Sequence, residues 1–447
     1  MNNSQMYEYA HAGGVPYPET DNYYYERWFP TSGLTDGSEY KTIRFNIKMD
    51  NLILHWTNAY MVLDGQLVKK ADGSEYVGTE MISMIHNAVP HLFSNCKLKI
   101  NNKCVEDVSE VGHVSSMMYD VLFPRSKGKC DGLQFMWYPD ITPVATDDNK
   151  GFAARRAYLF TQPDTKGTFK LWVPLYLFFG FMENFVVLTG YPMELEFVRG
   201  PDYPALFRTT LGATSADQGK LKFTSITLDV PIVRPSTSIA LEYIKGIKDR
   251  GSYLYSFRQR NGMFAPIPQN VRDFQQTITS AFFTERPQMI WVGFQISGTI
   301  DQTVNHALYK HTNVQSMYVR MNNVQVPHTL VESNWTENDP GFFYEMQKHV
   351  RGNYLQYPAR YTEGNTLTPA NFNTLYTIYC FDVSKQELTL GSNNVMCDLH
   401  VKFRTATPVN LRVYIAWFND RTLELFTDGS PINIRKEIEN YDDMEEE

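Results

Sequence analysis

Two short segments, KLKINNKC at 97–104 and YVRMNNVQ at 318–325, run the same basic–apolar alternation into an Asn-Asn pair, 221 residues apart in a chain of 447. Alternation at period two marks a half-buried strand. Asn tolerates the left-handed backbone that a two-residue hairpin turn requires. Such a turn sets Ile100 opposite Lys103, Lys99 opposite Cys104 and Met321 opposite Val324. A second pair, MELEFVRG at 193–200 and LHVKFRTA at 399–406, repeats at an offset of 206. One echo of this kind is weak. Two of them close to half the chain length predict two similar strand-built units in tandem.

The rest of the chain agrees. Runs rich in β-branched and aromatic residues recur at KTIRFNIKM (41–49), AYMVLDGQLVK (59–69), TFKLWVPLYLF (168–178), LKFTSITLDVPIV (221–233), QMIWVGFQI (288–296) and LRVYIAWF (411–418). They are separated by turn residues and not by regular helices, which argues for antiparallel sandwiches over a parallel α/β sheet. The expected fold is all-β: two tandem eight-stranded jelly rolls with a few short inserted helices. Helices are expected over EMISMIHNAVPHLF (80–93), VEDVSEVGHVSSMMYDVLF (105–123) and SIALEYIKGIK (238–248), from apolar residues at helical spacing. The expected divisions are an extended arm over 1–35, a first jelly roll over 36–235, a second over 236–436, and an acidic tail over 437–447. The joint falls near RPSTSIA (234–240), where Pro235 ends a strand run.

Charge narrows the partners. Of the net charge of −8, seven acids stand in EIENYDDMEEE (437–447) with no base, which leaves the body at −1. Sequence-specific nucleic-acid binding calls for a basic face or arm. The densest basic patch is only the pair Arg155-Arg156. The five cysteines, Cys96, Cys104, Cys130, Cys380 and Cys397, form no CxxC and match no zinc framework, so free thiols are expected. His91, Cys96 and Cys104 are the nearest approach to a metal set, and the hairpin register separates them. The apolar stretch LWVPLYLFFGFMENFVVL (171–188) is broken by Pro174, Glu183 and Asn184 and reads as strand plus connector, not as a membrane span. The first residues, MNNSQMYEYA, carry no signal-peptide pattern.

No catalytic motif emerges. GATSADQGK (212–220) ends in Gly-Lys with the wrong spacing for a P-loop and with Leu221 after it. Asp147-Asp148 and Asp442-Asp443 are acid pairs in polar loops. No cofactor, metal or enzymatic role is expected. The functional residues of such a chain are contact residues. Six tyrosines fall in the first 25 positions; Tyr7, Tyr9, Tyr23, Tyr24 and Tyr25 are candidate inter-subunit anchors, because aromatic rings bury large area with few rotatable bonds. Phe178, Phe179 and Phe181, in the turn FFGF, are further candidates, with plain core packing as the alternative.

Three segments carry a resemblance: WVPLYLFFGFMENFVVLTGYPMELEFVRGPDYPALFR (172–208), ERPQMIWVGFQ (285–295) with Asp301, Gln302 and Asn305 after it, and HTNVQSMYVRMNNVQVP (311–327). In order and spacing they resemble the major capsid proteins of Polinton/Maverick elements and adintoviruses. The resemblance implies a double jelly roll that assembles as homotrimers acting as pseudo-hexameric capsomers. It further implies an icosahedral shell of a DNA virus or virus-like transposon, a single jelly-roll penton protein as partner, and a place in the virion after assembly in the host cell. The rival reading is a non-catalytic β-sandwich attachment protein that binds a receptor or carbohydrate. Its only sequence cue is Trp335 with Asn334 and Asp339. A carboxylate pair across a sandwich cleft, as in a glycoside-processing enzyme, is a third reading.

Overall fold

Asn101 and Asn102 both take positive φ, 48° and 63°, and the strands they join pair Ile100 with Lys103 and Lys99 with Cys104. Asn322 has φ 45°, and Met321 pairs with Val324 across it. Both segments that echo in sequence therefore end in strands paired antiparallel across a two-residue connection. The computed structural model describes residues 20–31, 39–48, 53–124, 126–160, 166–184, 187–189, 191–209, 217–235, 252–278, 286–296, 302–322, 324–355, 368–385, 395–426 and 433–436.

Eight principal strands precede residue 236: β1 (Thr20–Trp28), β2 (Thr42–Ile47), β3 (Tyr60–Lys69), β4 (Phe93–Ile100), β5 (Lys103–Ser109), β6 (Thr168–Pro174), β7 (Met193–Arg199) and β8 (Gly219–Pro235). Eight follow residue 251: β9 (Ser252–Pro266), β10 (Asp273–Thr277), β11 (Pro287–Ile296), β12 (Val314–Met321), β13 (Val324–Val326), β14 (Ile378–Asp382), β15 (Cys397–Phe403) and β16 (Leu411–Phe426). All their pairings are antiparallel. The first half builds the sheets β1–β8–β3–β6, which the short strands Ile53–His55 and Val187–Thr189 extend beside β8, and β2–β7–β4–β5. The second builds β9–β16–β11–β14 and β10–β15–β12–β13. Adding eight to a strand's number gives its counterpart, in chain order and in choice of neighbours. The echo MELEFVRG/LHVKFRTA is β7 against β15. Among the described residues every sheet takes its strands from one side of residues 236–251 alone. The fold is two jelly rolls in one chain.

Cores form where the alternation points inward. In the first sandwich Phe45, Leu98, Leu195 and Phe197 meet Leu63, Leu228 and Ile232. The second sandwich closes on Val292, Phe294, Val319, Leu399, Val413 and Ile415. β11 is buried along nearly its whole length. Its Ile290, Val292 and Phe294 face the second core, whereas Met289 and Trp291 join the apolar cluster of the first half. A strand covered on both faces needs apolar residues at every position, hence the unbroken run QMIWVGF.

Two expected helices need correction. Residues 80–93 form a short strand, Ile82–Met84, and one 3₁₀ turn, Pro90–Leu92. Asn87 sits at φ 55°, and Pro90 has no N–H to give a helix. Residues 82–93 are buried throughout, so their apolar spacing does not mark one face of a helix. In 105–123 the helix α1 begins only at Val111 and runs to Leu122, because 103–109 is β5 and Glu110 turns the chain at φ 51°. All twelve residues of α1 are buried. The helices α2 (Lys150–Phe160) and α3 (Phe343–Leu355) were not foreseen. The expected helix at 238–248 and the acidic tail lie outside the described residues. Within the expected arm, Thr20–Trp28 is extended as β1 and belongs to the first sheet, with Tyr24 and Trp28 packed against its core.

Candidate assembly surfaces

The join between the halves is built around a buried carboxylate. The β4–β5 pairing carries a bulge that sets Lys99 opposite Cys104 but Leu98 opposite Glu106, so Val105 and Glu106 are both buried. Glu106 accepts from the backbone N–H of Gly180 at 3.0 Å, of Phe181 at 3.1 Å and of Arg260 on β9 at 3.0 Å. Burial pushes its pKa up, while the Arg260 charge and these three donors pull the other way. The Arg260 guanidinium donates to the Tyr176 carbonyl at 2.6 Å, the Tyr119 hydroxyl at 2.8 Å and Glu183 at 3.1 Å. Burial pulls the Arg260 pKa down, but nearby Tyr119 and Glu183 outweigh it and hold the charge. Gly180 is required here: a Cβ on it would lie 1.9 Å from the Arg258 carbonyl oxygen.

Polar ties continue along the join. Asp140 accepts both oxygens' bonds from Arg155 at 2.8 and 2.9 Å, and one from Asn305 of the second half at 2.7 Å. Gln302 exchanges two 2.7 Å bonds with the backbone of Gly219. Three buried histidines also meet there. His91 and His113 have ring centroids 4.9 Å apart, His113 and His306 6.4 Å, and His113 stacks on Tyr414 at 3.5 Å. Burial, then mutual repulsion with His306, takes His91 down to about 3; burial and Arg412 take His306 down to about 4. His113 is likewise pushed well below its ordinary value. All three are neutral at pH 7.

The outer surfaces differ in chemistry. The outward face of β2–β7–β4–β5 is a ladder of paired charges: Arg44–Glu196, Lys99–Glu194 and Lys97–Asp107, each at 3.1 Å. The outward face of β1–β8–β3–β6 carries an aromatic strip beside the ion pairs Arg27–Asp229 at 2.7 Å and Lys170–Asp64 at 3.5 Å. Tyr23 and Tyr25 are 38% and 48% exposed. Ring centroids step from Tyr23 to Tyr25 at 6.1 Å, on to Tyr60 at 6.4 Å and to Trp172 at 6.3 Å. In the second half an open groove after β13 is lined by Pro327, Leu330, Val331, Glu332 and Phe342.

The sequence-predicted contact residues are thus separated. Tyr23 and Tyr25 face outward, and Tyr24 packs inward. Phe178, Phe179 and Phe181 are fully buried within the chain, where Phe178 and Phe179 pack on Phe197, and Phe181 packs on Tyr255 and Phe257. Tyr7 and Tyr9 lie outside the described residues. Trp335, the cue for carbohydrate binding, is buried, donates to the Val314 carbonyl at 2.8 Å and stacks on His311. All five cysteines are free; Cys96, Cys380 and Cys397 are buried, and Cys104 and Cys130 are exposed. Among the described residues no group of histidine, cysteine and acid side chains is placed to hold a metal, and no helix is long and apolar enough to cross a membrane. Sequence reasoning missed Glu106, Arg260 and His306, and weighed His91 only as a metal ligand. Nothing marks them in sequence, because the bulge that turns Glu106 inward depends on the partner strand.

Two eight-stranded sandwiches with the same connectivity, joined through a buried polar seam, define the class of double jelly-roll proteins. The sequence model for the double jelly-roll-like domain matches residues 147–423, and the chain belongs to that family. Among solved structures it is similar to a chain of the Sputnik virophage (TM-score 0.57, 11% identity, covering 94% of this chain and 90% of that one). It is also similar to the mavirus major capsid protein (0.54, 10%, 95% and 91%) and the Faustovirus major capsid protein (0.53, 11%, 93% and 92%). At these identities the likeness is one of fold. No curated protein matches.

Proposed function

We propose that this chain is a major capsid protein, that three copies close into a pseudo-hexameric capsomer, and that its work is structural, without catalysis or cofactor. The observation that carries the reading is the strand-for-strand repetition of one sandwich within the chain. Three chains then present six similar wedges, and one gene product tiles a curved lattice. The major capsid proteins of mavirus and Faustovirus, which share the fold over most of their length, support the same reading. In this reading, which the resemblance to Polinton/Maverick and adintovirus proteins supports, the shell is that of a DNA virus or virus-like transposon, a single jelly-roll protein stands at the fivefold positions, and the virion is the final location. The first jelly roll then runs over 36–235 and the second over 236–436, with the joint near 234–240. The residues before Thr20, with Tyr7 and Tyr9, serve as an arm to neighbouring capsomers, and the acidic tail at 437–447 stays in solvent. The attachment-protein alternative loses its cue with the burial of Trp335.

Size-exclusion chromatography with light scattering, followed by negative-stain microscopy of the same fractions, tests the reading. A species of three times 51.7 kDa, or closed particles with hexagonal capsomers, is the expected result. A monomer at every salt, pH and concentration, with no particles, overturns it.

A further inference from the structure

Residues 302–309 belong to the second half in sequence and lie on the first half in space. The Gln302 carbonyl accepts from the Arg208 N–H at 2.9 Å, and its side-chain oxygen accepts from the Gly219 N–H at 2.7 Å. The Asn305 side chain donates to Asp140 at 2.7 Å, and the Tyr309 hydroxyl meets His113 Nδ1 at 3.1 Å. From there the chain returns to its own sandwich, where the Tyr309 N–H donates to the Leu375 carbonyl and the Lys310 N–H to the Phe294 carbonyl. The segment is a strap laid across the seam, with His306 buried in its middle.

Hydrogen bonding fixes the tautomer of His306. The Gln295 side chain donates to the Leu308 carbonyl at 3.0 Å, so its oxygen is the atom that faces His306 Nδ1 at 3.2 Å and accepts from it. The ring proton therefore sits on Nδ1. A second proton has to go to Nε2, which is buried and has no hydrogen-bond partner among the described residues. The surroundings offer that proton little. The 203–205 turn presents the Tyr203 ring at 5.5 Å, α1 the His113 ring at 6.4 Å, and β11 the Gln295 amide. β16 presents Arg412, of like sign, and Tyr414, which stacks on His113; the 90–92 turn presents His91, a further base. The acids on these segments or against the strap are engaged elsewhere. Asp140 holds Arg155, Asp202 holds Arg199 and the Leu221 N–H, Asp120 lies against His86, and the half-buried Glu110 faces the Arg412 charge.

We propose that residues 302–308 are an acid-released strap: a proton on His306 Nε2 frees the segment from the first half while both sandwiches stay folded. The inference concerns the single chain and is independent of the capsid reading. Seated, a protonated His306 is a buried cation without a counter-ion, which is costly. Released, it stands in water and takes its proton at the ordinary 6.5. Burial and Arg412 hold the seated ring at about 4, so between these values the released form gains a proton that the seated form refuses, and acid favours release. His91 and His113, also lowered by burial, act in the same direction. Glu110 and Asp120, raised by burial, act against it, so the share of His306 is read as a difference between proteins.

Hydrogen exchange read by mass spectrometry on the full chain, with each rate divided by the intrinsic rate at that pH, tests the strap. Peptides over Arg208, Gly219 and 302–309 report its seating, and peptides over 193–199 and 411–418 report the sandwiches. From pH 7 to 5 the strap peptides of the wild type should lose about twentyfold more protection than those of His306→Gln, while the sandwich peptides hold in both. The same pH dependence in the two proteins, or sandwich peptides that open together with the strap, overturns the proposal and leaves the capsid reading untouched. Arg412→Gln gives an independent arm should His306→Gln fail to fold by circular dichroism. Without the like charge the seated ring accepts its proton more readily, so release moves to lower pH. A seam that is merely weakened releases at higher pH, and a shift in that direction, or none, overturns the proposal.

Discussion

One carboxylate, Glu106, gathers backbone donors from two separate parts of the chain, the turn after β6 and the strand β9. Replacing it with alanine leaves three buried N–H groups unmet and removes a second negative charge near Arg260, whose ion-pair partner is Glu183. Breaking such a buried set is destabilising by about 3–5 kcal/mol, to be read by equilibrium urea unfolding; a loss under about 1 kcal/mol would sink the assignment. Glu106→Gln keeps one carbonyl oxygen as acceptor and is expected to lose less. Gly180→Ala tests the same spot sterically, because its Cβ collides with the Arg258 carbonyl and the backbone must part to admit it. Overpacking of this kind is destabilising by about 1–3 kcal/mol. Neither residue stood out in the sequence. Glu106 lies in KCVEDVS, where only a bulge against β4 places two adjacent residues inside, and a bulge is a property of the pair of strands.

Hairpins and helices behave differently as elements. The turn at Asn101 and Asn102 was legible because two left-handed residues in a row restrict the choice of side chain. Asn102→Val, which forces a β-branched residue to φ 63°, is expected to destabilise by about 1–2 kcal/mol, measured as a fall in thermal midpoint. MELEFV was legible because β7 alternates buried and half-exposed residues without a break. The helix α1 was legible from its apolar spacing but its start at Val111 was not, and residues 82–93 carried the same spacing without forming a helix, because both segments are buried all round and show no polar face to mark a period.

The histidines where α1 meets the second half set a pH dependence. Their folded pKa values, about 3 for His91 and about 4 for His306, lie below the ordinary 6.5. As pH falls from 6.5 towards 4 the unfolded chain takes up protons that the folded chain refuses. Their contribution is therefore complete above 6.5 and is lost on acidification, by about 1–2 kcal/mol per pH unit for each histidine. His86 and Asp120, 2.8 Å apart, are pushed by burial in opposite directions, so their slopes oppose. The buried Glu106 and the half-buried Glu110, the latter near Arg412, also have raised pKa values and the opposing slope. The clean measurement is therefore a difference: the stability gap between wild type and His306→Gln should narrow steadily between pH 6.5 and 4.5. A constant gap would rule out His306 as a contributor.

At the scale of the molecule, the repeat was visible only as two faint echoes, yet it extends to all sixteen principal strands. Sequence kept the echo where hairpin geometry and one solvated face restrict the residues, and lost it where the halves do different work. β3 and its counterpart β11 make the point. β3 alternates along Asp64, Gly65 and Gln66, whereas β11 carries Met289, Trp291 and Gly293 against the other half. Tyr23 and Tyr25 were picked out by composition, and their outward direction came from the β1 register.

The outward side of the sheet β9–β16–β11–β14 is covered by the first half over Trp291, Ala416 and Phe418, and that bears on how the polypeptide is made. A ribosome delivers the first sandwich before Trp291, Ala416 and Phe418 exist, so the surface that will shelter them is already standing when they emerge. The earlier half then acts as an intramolecular chaperone for the later one. Synthesised apart, residues 1–235 should stay in solution, whereas residues 252–447 should precipitate or remain bound to heat-shock proteins, and adding the first fragment during translation should rescue the second. Equal solubility of the two fragments would mean that the order of synthesis carries no such benefit.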